Sequence, residues 1–198
     1  MNLPNKITIF RIILVPFMLL VPIFNITTTF LGINVGNLII LAIFLIASFT
    51  DFLDGYLARK HNLVTNFGKF LDPIADKLLV ITALVMLVET GIIPTWIPVV
   101  VIAREFLVSG VRMLAAGEGN VIAASMLGKI KTVSQMIAIS LALIDTNPFM
   151  AFISGGPQGF AFALNLLMSV AMVVSVVATI WSGVDYFMKS KDVVLKTK

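Results

Sequence analysis

Six stretches of this chain, at about 7–24, 34–58, 70–93, 95–116, 127–148 and 158–188, approach or exceed the ~20 apolar residues a helix needs to cross a bilayer. Inside hydrocarbon no water is at hand for backbone N–H and C=O groups, so a crossing segment must satisfy its own. Helices do this within one segment. The predicted fold is all-α, a polytopic membrane protein of six transmembrane helices. Composition agrees: of 198 residues 59% are hydrophobic and only 12% are charged, with a mean hydropathy of +1.06. Soluble domains carry about 25% charged residues. A soluble enzyme is thereby excluded, and residues 1–198 read as a single membrane domain.

The fifth stretch opens on the polar "GKIKTVSQ", which leaves it a short apolar core, and the sixth is long enough to tilt or to continue as an amphipathic tail. The N-terminal "MNLPNKITIFRIILVPFMLLVPIF" lacks a small-residue cleavage site and is expected to stay as the first helix. The sequence contains no cysteine, so disulfides, thiolate metal sites and cysteine nucleophiles are ruled out.

Charge sets the orientation. Placing the N-terminus in the cytoplasm puts all 14 Lys and Arg residues toward one side, and the opposite loops "NITTTFLGINVGN", "ETGIIP" and "DTNPFMAFISGGPQG" contain none. Both termini are then cytoplasmic. A net charge of +4, spread along helix ends instead of collected in a run, argues against nucleic acid as a partner. Anionic headgroups of membrane lipids or a phosphorylated substrate suit it better.

Against this background "TDFLDGYLARKHNLVTNFGKFLDPIADK", residues 50–77, places Asp51, Asp54, Asp72 and Asp76 at the cytoplasmic ends of two spans. An acid within a span costs ~2.5–3.5 kcal/mol on insertion scales, so four of them mark a functional site. Asp51 and Asp54 are three apart and Asp72 and Asp76 four apart, so each pair shares a helix face. Two adjacent antiparallel helices would bring the pairs together. Four carboxylates so held repel one another unless divalent cations intervene. Oxygen-only donors suit hard ions such as Mg²⁺ or Mn²⁺, which are commonly shared with substrate phosphates. Gly55, Ala58 and Gly68 keep the neighbouring helix faces bare, and Arg59 offers a fork-shaped cation. Pro73 is tolerable in a first helical turn but would bend a helix already under way. His61, the one histidine, reads as a solvated loop residue. A cation transporter using the acids as an ion path is the rival reading.

The whole pattern, Asp51-x2-Asp54-Gly55-x2-Ala58-Arg59-x8-Gly68-x3-Asp72-x3-Asp76, resembles the signature of the CDP-alcohol phosphotransferases at all eight fixed positions. The resemblance implies a membrane enzyme that moves a phosphoalcohol group from a CDP-linked donor to an acceptor hydroxyl and releases CMP. It implies that Asp51, Asp54, Asp72 and Asp76 ligate two divalent cations, with Asp76 also the base toward the acceptor. Gly55, Ala58, Arg59, Thr65 and Gly68 would line the CDP-lipid pocket. "PNKITIFR" resembles the family's N-terminal motif and would set Asn5, Thr8 and Arg11 beside the nucleotide, although Asn5 also suits a helix cap. Family members often pair as homodimers.

Within the family, "IAREFLVSGVR" and "GKIKTVSQM" resemble the bacterial branch whose donor is CDP-diacylglycerol and whose acceptor is sn-glycerol 3-phosphate. This implies a site facing the cytoplasm from the bacterial plasma membrane. A phosphorylated acceptor needs cations, and Arg112, Lys129 and Lys131 are the candidates. Lys131 also suits a positive-inside anchor, and Arg104 with Glu105 a buried structural pair. Inositol phosphate, serine or phosphatidylglycerol are the alternative acceptors.

Overall fold

The computed structural model describes residues 2–30, 32–60, 65–117 and 126–195. It is all-α, with six long helices: α1 Leu3–Leu20, α2 Val35–Lys60, α3 Asn66–Glu89, α4 Trp96–Gly117, α5 Met126–Ile144 and α6 Phe160–Leu195. Each lies close to one predicted span, and α6 runs on past the expected end. A two-residue antiparallel pairing of Thr29–Phe30 with Ile33–Asn34 stands between α1 and α2. His61 falls outside the described residues.

Local chemistry explains the helix ends. Asn2 is extended (φ −78°, ψ 165°) and a proline follows in the first turn of α1, where its missing N–H costs nothing. The capping position is thus Asn2, so Asn5 is freed for another role. Extended Thr65 caps α3, its hydroxyl accepting from the Gly68 N–H at 3.0 Å. Pro73 lies well inside α3, which continues through it. The helix ends where Gly91 takes φ +74° and the Ile92 N–H donates to the Leu87 carbonyl at 2.9 Å. Only glycine adopts that left-handed position without a Cβ penalty.

The chain divides into two compact units, Met1–Ile93 with Ile139–Pro148 and Pro94–Ala138 with Phe149–Lys198. In the first, α1 packs along both α2 and α3. Its buried side chains include Val15, Met18, Phe44, Leu79 and the small Ala47, Ala75 and Ala83, which let helix backbones approach closely. In the second unit α4 packs along α6, and Val108, Val111 and Tyr186 form a buried cluster. Ser175, Thr179 and Ser182 are buried on α6, where Thr179 donates to the Ser175 carbonyl at 2.7 Å and Ser182 to that of Thr179 at 3.0 Å. Such hydroxyls satisfy themselves within the helix and leave a narrow surface for packing.

Large apolar side chains such as Phe17, Phe49, Phe106 and Phe160 are exposed, an arrangement that lipid solvates and water does not. Among the described residues, Asn5–Phe24, Val35–Gly55, Met126–Ile144 and Phe160–Lys189 are long and apolar enough to cross a membrane. The remaining long helices, α3 and α4, are set apart by charge. Asp72, Asp76, Lys77 and Glu89 lie on α3, and Arg104, Glu105 and Arg112 on α4.

Candidate active site

The first unit builds its polar centre on α1. Asn5, Thr8 and Arg11 recur every three residues and so lie along one side of a helix that is apolar elsewhere but for the exposed Lys6. All three are buried, Arg11 completely. A guanidinium in that position is tolerable only if paired, and it is paired three times. Arg11 Nη1 donates to Asp51 Oδ1 at 2.7 Å and to Asp76 Oδ1 at 2.9 Å, while Nη2 donates to Asp54 Oδ2 at 2.5 Å. Nε is buried and has no hydrogen-bond partner among the described residues.

One turn earlier, Thr8 Oγ1 lies 2.8 Å from Asp72 Oδ1 and 3.3 Å from Asp54 Oδ2. The fourth aspartate therefore joins the other three through a hydroxyl. All four predicted acids converge, as expected. Side chains of α1 join that meeting point, Arg11 and Thr8 each reaching acids of both α2 and α3. The reason is packing, since α1 lies along both helices and brings its polar strip to their acidic ends.

Farther up α1, Asn5 Oδ1 accepts from the Thr65 hydroxyl at 3.0 Å. A Cβ on Gly68 would fall 2.9 Å from Asn5 Oδ1 and 3.2 Å from Thr65 Oγ1. Gly68 was expected to leave room for a ligand. In the structure its missing side chain makes room for Asn5 and Thr65, which ties the start of α3 to α1. Gly55, Ala58 and Arg59 follow Asp54 within α2, and the side chains of Ala58 and Arg59 lie outside what the structure describes.

The acids differ in access. The Asp54 side chain is 4% exposed, Asp51 32% and Asp76 50%. Asp54 is thus an interior charge, whereas Asp76 can be approached by a substrate. With all four ionised, Arg11 offsets only one of the four negative charges. Among the described residues no three acidic or histidine side chains are poised around one point as metal ligands, because the Arg11 guanidinium takes the shared centre. The donor set nevertheless fits hard divalent cations, being all carboxylate oxygen.

The second unit holds the remaining candidates. Glu105 accepts from Arg104 Nη1 at 2.8 Å and from Lys131 Nζ at 2.7 Å. The Arg104–Glu105 pair expected from sequence is present, and Lys131 extends it from α5. Lys131 is buried, its charge directed at Glu105. Arg112 is exposed; its Nε donates to the Tyr186 hydroxyl at 3.2 Å, and its guanidinium lies 5.4 Å from the centre of that ring. Lys129 is exposed near the start of α5. Sequence reasoning missed Tyr186 altogether, since nothing local marks one tyrosine on a long apolar helix. It underrated Arg11, for which the three-residue polar spacing of α1 was the available signal.

The family description CDP-alcohol phosphatidyltransferase matches residues 1–181. The chain belongs to that family. Among similar CDP-alcohol phosphatidyltransferases is the CDP-diacylglycerol–glycerol-3-phosphate 3-phosphatidyltransferase of Bacillus subtilis (strain 168), 47% identical over 99% of this chain and 98% of its own. Proteins of the same name from Rickettsia bellii (strain RML369-C) and Haemophilus influenzae (strain ATCC 51907 / DSM 11121 / KW20 / Rd) are each 37% identical. The first covers 96% of both chains; the second covers 98% of this chain and 96% of its own. The acid cluster of this CDP-alcohol phosphatidyltransferase lies wholly inside the matched segment.

Proposed function

We propose that the chain transfers the phosphatidyl group of CDP-diacylglycerol to sn-glycerol 3-phosphate, giving phosphatidylglycerophosphate and CMP. The observation that carries this reading is the nearly full-length likeness, at 47% identity, to a relative bearing the name of that reaction. The convergence of four aspartates on one polar strip supplies chemistry that fits it.

Asp51, Asp54, Asp72 and Asp76 would hold two divalent cations, Mg²⁺ or Mn²⁺, which when bound draw negative charge off the donor's diphosphate and the departing CMP. Asp76, the most open of the three acids paired with Arg11, takes the proton from the acceptor's 1-hydroxyl as that oxygen bonds to the β-phosphorus. The bond from that phosphorus to the CMP oxygen breaks in the same displacement. Asn5, Thr8, Gly55, Ala58, Arg59, Thr65 and Gly68 form the nucleotide side of the site, where Arg59 contributes a permanent cation.

The acceptor's phosphate falls to Arg112 and Lys129, which are exposed. Lys131 joins them only by leaving Glu105. All six long helices cross the bacterial plasma membrane as one domain with both termini in the cytoplasm, and the acid cluster faces the cytoplasm. Acyl chains stay among the membrane lipids, and two copies pair through their helices.

Purified protein supplied with CDP-diacylglycerol, Mg²⁺ and each acceptor in turn tests the reading. CMP release with glycerol 3-phosphate is expected. Release with serine, inositol phosphate or phosphatidylglycerol but not with glycerol 3-phosphate overturns it.

A further inference from the structure

Arg11 is wholly buried, and among the described residues its hydrogen bonds go to the acids. One guanidinium reaches Asp51 and Asp54 from α2 and Asp76 from α3, so a single side chain holds the acidic ends of two helices together. Removing it would take the shared cation from three neighbouring carboxylates, which would then repel one another more strongly. Arg11 is also an incomplete solution, because it offsets one charge of four. Arg11 engages one oxygen on each of Asp51, Asp54 and Asp76, where cations would bind.

We propose that Arg11 is the resident counter-ion of the carboxylate cluster, holding Asp51, Asp54 and Asp76 together in the cation-free protein and yielding their oxygens when divalent cations bind. Arg11 is then a positioning residue that competes with the metal, and not a nucleotide contact. The inference rests on the metal reading given above. Its chemistry is an exchange of partners: N–H to carboxylate hydrogen bonds are given up, and oxygen-to-cation contacts replace them. Arg11 keeps its charge throughout.

Mn²⁺ titration of the full-length detergent-purified protein after chelation, read by the resonance of free Mn²⁺, tests this directly. Arg11→Met keeps the length and apolar stem but cannot occupy the carboxylates. Its Mn²⁺ affinity is expected to rise about tenfold over the original protein, a difference of ~1.4 kcal/mol. Melting temperatures supply a second readout. The variant should melt well below the original protein in EDTA, and the gap should narrow in saturating Mn²⁺, where cations replace the lost guanidinium. A merely structural arginine would leave the same gap in both conditions.

Arg11→Lys carries the comparison if Arg11→Met cannot be purified, because an ammonium lacks the fork that serves three carboxylates at once; it too should bind Mn²⁺ more tightly. An original protein that binds Mn²⁺ alongside a folded variant that binds it equally or more weakly overturns the counter-ion role alone. An original protein that takes up no Mn²⁺ overturns the metal reading and this exchange together.

Discussion

Lys131 Nζ donates to Glu105 Oε1 at 2.7 Å, joining α5 to α4 inside the second unit. Glu105 serves Arg104 as well, so one carboxylate holds two buried or nearly buried cations. Glu105→Gln is expected to destabilise the protein by about 3–5 kcal/mol, because it leaves both cations poorly paired in a dry setting. Lys131→Met should cost clearly less, since Arg104 still pairs with Glu105. Thermal unfolding in detergent measures both, and an equal loss would show that the Arg104–Glu105 pair adds no stability.

Thr8 is the hydroxyl between Asp54 and Asp72. Thr8→Val keeps its shape and removes its donor, which is expected to cost about 1.5–3 kcal/mol, the worth of a hydrogen bond to a charged group. Thr8→Ser should recover most of the loss. A melting temperature unchanged by Thr8→Val would mean that the hydroxyl contributes nothing to holding the acids.

Two glycines on helices should respond in opposite directions to the same change. Gly68→Ala places a methyl 2.9 Å from Asn5 Oδ1 and 3.2 Å from Thr65 Oγ1, so the cap of α3 must shift at a cost of roughly 1–3 kcal/mol. Gly110→Ala meets nothing within 4 Å on α4 and should stabilise the helix by about 0.5–1 kcal/mol. Paired melting curves report the signs, and a stabilising Gly68→Ala would contradict the close approach of α1 and α3.

Asp76→Asn should abolish CMP release yet leave CDP-diacylglycerol binding measurable, because a carboxamide cannot accept the acceptor's proton. Single-turnover assays beside a lipid-binding measurement separate the two. Substantial residual turnover would remove Asp76 from the role of base.

Arg112→Ala is expected to raise the KM for glycerol 3-phosphate by at least about tenfold, the scale of a charge-assisted hydrogen bond, with little change in CDP-diacylglycerol binding. Tyr186→Phe should fall between, since it loses the 3.2 Å hydrogen bond but keeps the ring under the guanidinium. Equal effects on donor and acceptor would place Arg112 elsewhere in the reaction.

Much of this protein is legible in the order of its residues. Apolar length determined an all-α membrane fold and located six long helices, because a chain in lipid must satisfy its backbone within each helix. Spacing alone put Asp51 with Asp54 and Asp72 with Asp76 on shared helix faces, because helical periodicity is local. Which charge meets which was decided by tertiary structure. Side chains of α1 reach the acids of both α2 and α3, so Arg11 neutralises part of the cluster, and Gly68 yields its space to Asn5 and Thr65. Lys131 turns to Glu105 for the same reason: ion pairs between helices depend on how those helices pack, and residues 26 positions apart carry no local signal of the contact.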